Sequence, residues 1–321
     1  MSPSRDHSYP PDYILPDTWM QRDLDGLKAH HRFRDLKEAE PLPNGRIRLN
    51  GKEMLNLCSN DYLGLLERTR MPSLATGSGA SRLVSGNHRA LVELEDSLAH
   101  LHKTQGCLVF GSGFLANLGV ITALTDRHDV IFSDKLNHAS IVDGATLSRA
   151  EHIRYRHNDM DHLERLLKKH PHARRKLIIA DAIFSMDGDC ARIHHLVDLK
   201  YRYGAMLMID EAHSGGVMGP AGAGLTAQQG LAEHIDIHMG TLSKAFACYG
   251  AYICATDITC RYLINHARSL IFSTSLPPAL AAAARKNVQI IADADAERRQ
   301  LKHHSDAFRA ELVQLGLDCG A

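Results

Sequence analysis

Short apolar runs alternate with helix-length segments through the middle of the sequence, and this rhythm constrains the fold more than any other feature. The runs are continuous rather than alternating, as in "KLIIAD" (176–181), which is typical of strands buried on both faces of a sheet. Between the runs, as in "HRALVELEDSLAHLH" (88–102), leucines recur at helical intervals of three and four residues. The pattern predicts an α/β fold with a largely parallel sheet. The candidate strands are residues 107–110, 130–132, 176–181, 205–210, 236–239 and 251–255.

The two ends of the chain depart from this rhythm. From Thr18 to Glu40 the pattern predicts a helix, and "RIRLNGKEMLNL" predicts a hairpin that turns at Asn50–Gly51. Beyond "STSLPPA" the pattern is helical up to Leu315. We expect an N-terminal arm and helix over 1–50, a large domain over 51–275, and the incomplete start of a smaller C-terminal α/β domain over 276–321.

Composition and charge argue against several classes of protein. Lys and Arg together number 37, as do Asp and Glu, so no net charge favours binding to nucleic acid or to an anionic membrane. No apolar run approaches the roughly 18 residues of a membrane-spanning helix, and the first residues lack a signal-peptide pattern. We expect a cytoplasmic protein that binds neither nucleic acid nor membrane.

The seven cysteines include no C-x-x-C motif, and the 21 histidines include no H-E-x-x-H motif. We therefore predict reduced thiols and no metal site.

Polar groups cluster where predicted strands end, and this is the edge at which open α/β sheets bind ligands. The strand "CLVF" is followed by Gly111, Ser112 and Gly113 and then by a predicted helix. Glycines let the backbone approach an anion, and a helix N-terminus offers unpaired N–H groups. This turn is a candidate phosphate cradle, although a strand–helix turn that only needs glycine is the other interpretation.

Asp210 and Lys244 stand at the ends of two further strands. Asp210 closes "MLMID", where a desolvated carboxylate needs a cation or a hydrogen-bond donor; helix capping or an arginine partner is the alternative. Lys244 lies in the small-residue turn "GTLSKAF", where burial lowers the pKa of the amine and makes it a nucleophile toward carbonyls; a direct ion pair with Asp210 is the alternative. The cradle, the carboxylate and the amine together match the phosphate, pyridine nitrogen and aldehyde of pyridoxal 5′-phosphate (PLP).

Eight stretches of the sequence, in this order, resemble the α-oxoamine synthases, which are fold type I PLP-dependent transferases. The resemblance runs from about residue 20 to the end of the chain. It implies a large domain with a mostly parallel seven-stranded sheet flanked by helices, a smaller C-terminal α/β domain, and a homodimer with shared active sites. The stretches are "SNDYLGL", "GSGASRLVSGNH", "GSGFLAN", "NHASIVDGA", "FSMDGD", "DEAHSGGVMG", "GTLSKAF" and "FSTSLPPA".

The resemblance also implies roles for individual residues. Lys244 would bind the PLP aldehyde and act as acid and base, Asp210 would pair with the pyridine nitrogen, and His213 would bind the ring hydroxyl. His138 would stack on the ring and contact the substrate, although a loop histidine satisfied by its neighbours is the alternative. Further expected contacts with the cofactor are Gly113, Phe114, Ser185, Thr241 and, toward the partner subunit, Ser273 and Thr274.

Asn60 and Arg34 are expected on the substrate side of the site. For Arg34 a position on a solvated helix face is the alternative. Family members carry glycine where Ala247 and Ala251 stand in this chain, and the added methyl groups predict a repacked turn. Members also continue past the point at which this sequence stops, so their carboxylate-binding arginine has no counterpart here.

Within the family, the stretches are most similar to members that condense L-alanine with a pimeloyl thioester, with loss of CO2 and the free thiol. The small-molecule partners implied are therefore L-alanine and an acyl thioester, carried by CoA or by a carrier protein. Siblings that use glycine with acetyl or succinyl thioesters share the same motifs and stay open as an alternative. A catalytically silent binding subunit is the alternative from another functional class.

Overall fold

The computed structural model describes residues 16–319, and the chain divides into two compact units between Cys58 and Ser59. In the N-terminal unit the strands pair antiparallel in the order β1-β2-β3. The elements of this unit are helix α1 (Pro16–Ala29) and strands β1 (Ala39–Leu42), β2 (Arg46–Leu49) and β3 (Lys52–Leu55).

The hairpin predicted in this unit is confirmed, whereas the predicted N-terminal helix is too long. Asn50 and Gly51 have φ values of 51° and 75°, as a two-residue turn between antiparallel strands requires. Helix α1 ends early because His31 is left-handed, with φ 55°, and the Arg32 N–H donates back to the Leu27 carbonyl at 2.8 Å. This pattern is a Schellman ending, and the chain beyond it pairs as strand β1 instead of continuing the helix.

The larger unit is built on a mostly parallel sheet with the strand order β4-β10-β9-β8-β7-β5-β6. Strand β10 runs antiparallel to both of its neighbours, and the pairs from β9 to β6 are parallel. The predicted seven-stranded sheet is confirmed within the described residues. Its strands are β4 (Gly106–Phe110), β5 (Val130–Asp134), β6 (Glu151–Tyr155), β7 (Lys176–Asp181), β8 (Met206–Asp210), β9 (Ile237–Thr241) and β10 (Ala251–Ala255).

Strand β6 is the one strand of this sheet that the apolar runs did not indicate. It lies at the sheet edge, and three of the five residues of its sequence "EHIRY" are polar; only Tyr155 is fully buried. Charged residues on an edge strand discourage pairing with another chain. A strand exposed in this way has no continuous apolar run to identify it.

Helices cover both faces of the sheet, and successive strand residues point into opposite cores. Ile131 and Ile179 pack in the core beneath α3 and α4, whereas Phe132 and Ile178 pack in the core beneath α5 and α6. The continuous apolar runs follow from this two-sided burial. The helices are α2 (Arg89–His102), α3 (Gly113–Leu124), α4 (Ala139–Ser148), α5 (Met160–Lys169), α6 (Ile193–Tyr203), α7 (Leu225–Gln228), α8 (Asp257–His266), α9 (Arg268–Ile271), α10 (Pro278–Ala292) and α11 (Asp295–Gln314).

The C-terminal helical stretch is two helices, because the helix predicted to run to residue 315 is interrupted at Asp293 and Ala294. Helix α10 packs against α2. The start of a smaller domain at residue 276 stays a prediction. Among residues 16–319 no helix combines the length and the apolar character needed to cross a bilayer, and the seven cysteines, all within that range, are free thiols.

A buried ion pair holds the segment before α2 against the sheet. Arg82 donates to both carboxylate oxygens of Glu95, at 2.8 Å for the Nη2–Oε2 contact, and their side chains are only 13% and 11% exposed. Glu95 also accepts the Val109 N–H of β4 at 2.7 Å. The pair therefore links three parts of the chain through one carboxylate.

Arg82→Met is expected to lower the free energy of unfolding by about 3 kcal/mol, because it leaves the buried Glu95 carboxylate without its cation. Arg89→Met is the matched control, since Arg89 is 92% exposed and pairs with Glu93 on the surface of α2. The control is expected to change stability by less than about 0.5 kcal/mol. Urea unfolding of both variants measures the difference, and equal losses would contradict the assignment.

Candidate active site

The carboxyl ends of β7, β8 and β9 meet at one edge of the sheet and surround a cavity of about 220 Å³. Asp181 of β7 is the register partner of Asp210 of β8, and Asp210 is the register partner of Met239 of β9. The strand that ends in Asp210 and the strand that precedes Lys244 are therefore neighbours in the sheet. The cavity is lined by Gly113, Phe114, Asn117, His138, Ser140, Asp181, Ile183, Ser185, Asp210, Ala212, His213, Met239, Thr241, Ser243 and Lys244.

Asp210 is a buried carboxylate, 5% exposed, that is held by hydrogen bonds. Its Oδ1 accepts the Ala212 N–H at 2.9 Å, and its Oδ2 accepts Asn117 Nδ2 at 3.0 Å. The same Asn117 amide also donates to Ser140 Oγ at 2.9 Å. Neither helix capping nor an arginine partner explains Asp210 within the described residues, so its carboxylate faces the cavity in a fixed orientation.

Lys244 makes its hydrogen bond with His213 rather than an ion pair with Asp210, among the described residues. Lys244 Nζ lies 2.7 Å from His213 Nε2. His213 Nδ1 lies 2.7 Å from Tyr62 Oη, and Tyr62 Oη donates to Asn60 Oδ1 at 3.2 Å. These contacts fit a neutral imidazole that accepts from the amine at Nε2 and donates from Nδ1 to the phenol. A continuous chain of polar groups therefore connects the amine to the exposed Asn60.

The environment shifts the pKa values of both partners downward. Burial lowers the pKa of His213 to about 4, helped by the nearby Lys244 and His138. Burial also lowers the pKa of Lys244, although the Asp210 and Asp181 carboxyls partly offset that effect. The amine is therefore easier to deprotonate than an ordinary lysine, as the small-residue turn predicted.

The turn that carries Lys244 is shaped by left-handed backbone at Ala247. Its φ is 47°, in the region that favours glycine, and its N–H donates to the Lys244 carbonyl at 2.8 Å. The turn is closed on the other side by Thr241 and Ser243, whose hydroxyls both donate to the Gly250 carbonyl. The chain thus accepts alanine where family members carry glycine. Ala251 is fully buried in β10.

The phosphate cradle predicted after β4 is the first turn of helix α3. Ser112 is the N-cap, and its Oγ accepts the Leu115 N–H at 3.3 Å. Gly113 and Phe114 occupy the first two helical positions, whose N–H groups have no intrahelical acceptor. Both residues line the cavity, so this helix N-terminus presents donors and a positive dipole end to an anion.

His138 serves two structural purposes at once. It caps helix α4, where its Nδ1 lies 2.8 Å from Ser140 Oγ and 3.3 Å from the Ser140 amide, and its ring also lines the cavity. The backbone N–H of His138 donates to Asp181 Oδ2 at 3.1 Å. The interpretation as a satisfied loop histidine and the interpretation as a cavity residue are therefore both compatible with the structure.

Four predicted residues lie outside the cavity lining. Ser273 and Thr274 follow α9, with Thr274 bridged to Ser81, and neither lines the cavity. Asn60 does not line the cavity, but hydrogen bonds through Tyr62 connect it to His213, which does. Arg34 belongs to the N-terminal unit, in irregular chain after α1, and is exposed; the predicted helix face is wrong there because α1 ends at Ala29.

Sequence reasoning missed Tyr62, Asn117, Ser140 and Asp181. Asp181 could have been found, because it closes the apolar run "KLIIAD" in the same way that Asp210 closes "MLMID". It is 4% exposed and its Oδ1 has no partner within the described residues. Burial, followed by the charge of Asp210, raises its pKa well above the usual value. The other three close no apolar run, but each lies within one of the family stretches: Tyr62 in "SNDYLGL", Asn117 in "GSGFLAN" and Ser140 in "NHASIVDGA".

The residues of this cavity fit PLP. A helix N-terminus suits a phosphate, a buried carboxylate with a fixed orientation suits a pyridine nitrogen, and an amine of lowered pKa suits an aldehyde. Asp181 Oδ1, a buried acceptor without a partner, adds a polar atom that a ligand can satisfy. No group of three or more metal-ligating side chains occurs within residues 16–319.

Known proteins resemble this chain over nearly its whole length. The family model of aminotransferase classes I and II matches residues 52–321. A Halalkalibacterium halodurans protein named "Putative 8-amino-7-oxononanoate synthase" is 48% identical over 311 residues, 94% of this chain and 78% of the relative. A Bacillus cereus protein of the same name is 47% identical over 318 residues, 95% of this chain and 80% of the relative.

Solved structures show the same fold. A serine palmitoyltransferase from S. paucimobilis, with bound PLP–myriocin, superposes with a TM-score of 0.87 at 27% identity, covering 96% of this chain and 82% of that one. The 8-amino-7-oxononanoate synthase of Francisella tularensis has a TM-score of 0.71 at 28% identity, covering 81% and 76%. The chain belongs to the α-oxoamine synthases. This α-oxoamine synthase is a fold type I, PLP-dependent transferase, as its sequence motifs predicted.

Asp210→Asn is expected to lower the pKa of Lys244 further, because the Asp210 carboxylate is the largest influence that raises it against burial. In the PLP-free enzyme, the pH dependence of Lys244 modification by trinitrobenzenesulfonate, followed by peptide mass spectrometry, measures this pKa. The wild-type midpoint should lie below the ordinary value of 10.5 and that of the variant lower still. Asp143→Asn, on the exposed side of α4, is the matched control. An equal or higher midpoint in Asp210→Asn would contradict the electrostatic account.

Proposed function

We propose that this α-oxoamine synthase condenses L-alanine with a pimeloyl thioester, carried by CoA or a carrier protein, to form 8-amino-7-oxononanoate in biotin biosynthesis. CO2 and the free thiol are the other products. The observation that carries the proposal is the convergence of Lys244, Asp210 and the N-terminus of α3 on one cavity. Relatives that are 46–48% identical and bear the corresponding name support the choice of substrates.

Bound PLP supplies an electron sink that accepts the electron pair released at the substrate Cα. The chain's own residues would hold it in a fixed pose. The N–H groups of Gly113 and Phe114, with the Thr241 hydroxyl, would bind its phosphate, and the Asp210 carboxylate would pair with the pyridine nitrogen. A charge pair about 4 Å apart at an effective dielectric of 20 gives roughly 4 kcal/mol before desolvation, which is sufficient to keep that nitrogen protonated.

Lys244 would move the proton at the substrate Cα. Because burial lowers the pKa of its amine, a larger fraction of Lys244 is neutral near pH 7 than for an exposed lysine, and a neutral amine can take the proton. His213, with a pKa of about 4, stays neutral at this pH and accepts a hydrogen bond from Lys244 Nζ. After the acyl group is joined to Cα and CO2 is lost, Lys244 would return a proton to the same carbon.

The remaining predicted roles rest on position alone. Ser185 and His138 line the cavity, which supports contacts with the cofactor for both and with the substrate for His138. Asn60, at the solvent end of the chain of polar groups that begins at Lys244, supports a role on the substrate side. The substrate role of Arg34 stays a prediction, as does a cytoplasmic location.

We also propose that the enzyme is a homodimer with shared active sites. Ser273 and Thr274 do not line the cavity of their own subunit, which leaves them available to the phosphate site of a partner. Next to them, Phe272 is 70% exposed, and Val84, in the segment bridged to Thr274 through Ser81, is 80% exposed. Apolar side chains that are exposed together mark a protein interface.

A substrate assay tests the proposed reaction. Purified enzyme with PLP is offered L-alanine or glycine in combination with pimeloyl, acetyl and succinyl thioesters, and products are identified by mass spectrometry. We expect 8-amino-7-oxononanoate from L-alanine and pimeloyl thioester. Lys244→Ala is expected to form no product and to lose the visible absorbance of the bound cofactor, because the amine is absent. Preference for glycine would instead assign the enzyme to a sibling reaction, and no turnover with any pair would favour the silent binding subunit.

Sedimentation velocity tests the dimer. Val84→Glu is expected to shift the enzyme toward monomer, because it places a charge in an apolar interface. Ile258→Glu is the matched control, since Ile258 is similarly exposed, 73%, but lies in the first turn of α8. A wild-type monomer, or equal dissociation of both variants, would contradict the assigned interface.

A further inference from the structure

His157 lies between two carboxylates that belong to different parts of the larger unit. Its Nδ1 is 2.9 Å from Oδ1 of Asp134, the last residue of β5, and its Nε2 is 2.9 Å from Oδ2 of Asp189, in the loop after β7. The Asp134 side chain is 1% exposed, and those of His157 and Asp189 are 26% and 23% exposed. The imidazole therefore joins the sheet to this loop.

Both contacts can be hydrogen bonds only when both ring nitrogens carry a proton. Ionised carboxylates accept and do not donate, and a neutral imidazole has one N–H. Burial lowers the pKa of His157, but the hydrogen bonds and charges of Asp134 and Asp189 outweigh it, so the pKa is raised above 6.5. The structure thus has the arrangement of an imidazolium shared by two anions.

Further side chains lie close to this ring and to its carboxylate partners. Phe184, after β7, meets it edge-on with ring centroids 4.4 Å apart, and Asn158 donates to Asp189 Oδ2 at 2.7 Å. Burial and then Asp189 raise the pKa of the neighbouring Cys190 thiol, and the Arg309 guanidinium of α11 acts in the opposite direction. The two carboxyls are therefore the charged groups in direct contact with the imidazole.

The loop held by this contact, residues 183–190, is a compact turn that borders the PLP cavity. The Phe184 N–H donates to the Asp189 carbonyl at 3.0 Å, and the Gly188 N–H donates to the Phe184 carbonyl at 2.8 Å. Ile183 and Ser185, at its start, both line the cavity. Asp189 Oδ1 is buried without a partner within the described residues. The carboxylate is therefore stabilised through Oδ2, by its hydrogen bonds with His157 and Asn158.

We propose that His157 is a positioning residue for the PLP site: its imidazolium ties Asp189 to Asp134 and so fixes the loop that presents Ser185 to the cofactor. The ring does not line the cavity and takes no part in the chemistry. The inference rests on the proposed function, because it concerns how tightly the cofactor of that reaction is held.

The pH dependence follows from the raised pKa. A group whose pKa is higher in the folded state stabilises fully below its unfolded pKa, here 6.5, and loses that contribution as the pH rises through the folded value. The loop is therefore anchored in weakly acidic solution and released in alkaline solution. The titrations of Lys244 and His213 affect wild type and a His157 variant alike, so they cancel in the ratio of the two cofactor affinities.

The test is the apparent Kd of the enzyme for PLP, measured by equilibrium dialysis of wild type and His157→Gln across the pH range. At pH about 6 the variant should bind PLP about tenfold more weakly, the size expected for loss of a charge-assisted hydrogen bond. By pH about 9 the ratio should approach one, because deprotonation weakens the same contact in wild type. A packing role against Phe184 alone would give a ratio that does not change with pH.

Two further variants keep the inference testable if His157→Gln does not fold. Asp189→Asn removes the charge on the loop side at constant shape, and should give the same pH-dependent ratio and faster amide hydrogen exchange over residues 183–190. His170→Gln is the matched control, since His170 pairs with the single carboxylate of Glu151 at 3.3 Å and does not line the cavity. It should leave both measurements unchanged.

The outcomes separate this inference from the proposed function. A wild-type enzyme that does not retain PLP would overturn both. A wild-type enzyme that retains PLP, with His157→Gln and Asp189→Asn matching its Kd at all pH values, would overturn the positioning role alone. A constant ratio at every pH would do the same, since it would assign His157 a packing role only.

Discussion

Burial of the Lys244 amine at the carboxyl edge of the sheet is the constraint on which the rest of the site depends. An amine removed from water loses part of its preference for the charged form, and the neighbouring carboxyls of Asp210 and Asp181 restore some of it. The net result is an amine whose pKa lies below that of an exposed lysine and that can act as a base. The hydrogen bond to a neutral His213 keeps the amine oriented without adding a second positive charge.

The sheet provides this environment through its topology. Parallel strands bring their carboxyl ends to one edge, where Asp181, Asp210 and Thr241 become neighbours although they are far apart in sequence. The antiparallel strand β10 then returns beside β9, so that the Gly250 carbonyl accepts the hydroxyls of Thr241 and Ser243. One reversed strand thus closes the turn that carries the reactive lysine.

A second layer of polar residues holds the first. Asn117 fixes the Asp210 carboxylate, and Tyr62 forms a hydrogen bond with the His213 imidazole. His157 joins the loop of Ser185 to β5 through two carboxylates. Each of these residues acts by satisfying a buried or half-buried group that would otherwise lose hydrogen bonds to water. The precision of the site is therefore a property of this layer as much as of the residues that contact the cofactor.

The sequence by itself determined the α/β class, six of the sheet strands to within two residues at their ends, and the candidate residues at three strand ends. It could do so because two-sided burial requires continuous apolar runs. A polar residue that closes such a run is also buried at a cost in free energy unless it has a hydrogen-bonding or charged partner, so it marks a candidate site. Those three groups together indicated PLP, and the family motifs indicated the same cofactor. The charged edge strand β6 and the early end of α1 escaped this reasoning, since neither leaves an apolar signal.

Only the tertiary structure decided which polar groups meet. The chain from Lys244 through His213 and Tyr62 to Asn60 spans contacts between residues separated by up to 151 positions, and the pairing of His157 with Asp189 crosses 32. A hydrogen bond requires the donor–acceptor distance to be right within a few tenths of an ångström and the angle to be favourable. No local pattern in the sequence encodes that geometry. Strand order, register and the seating of loops bring these atoms together, and they arise from packing of the whole unit.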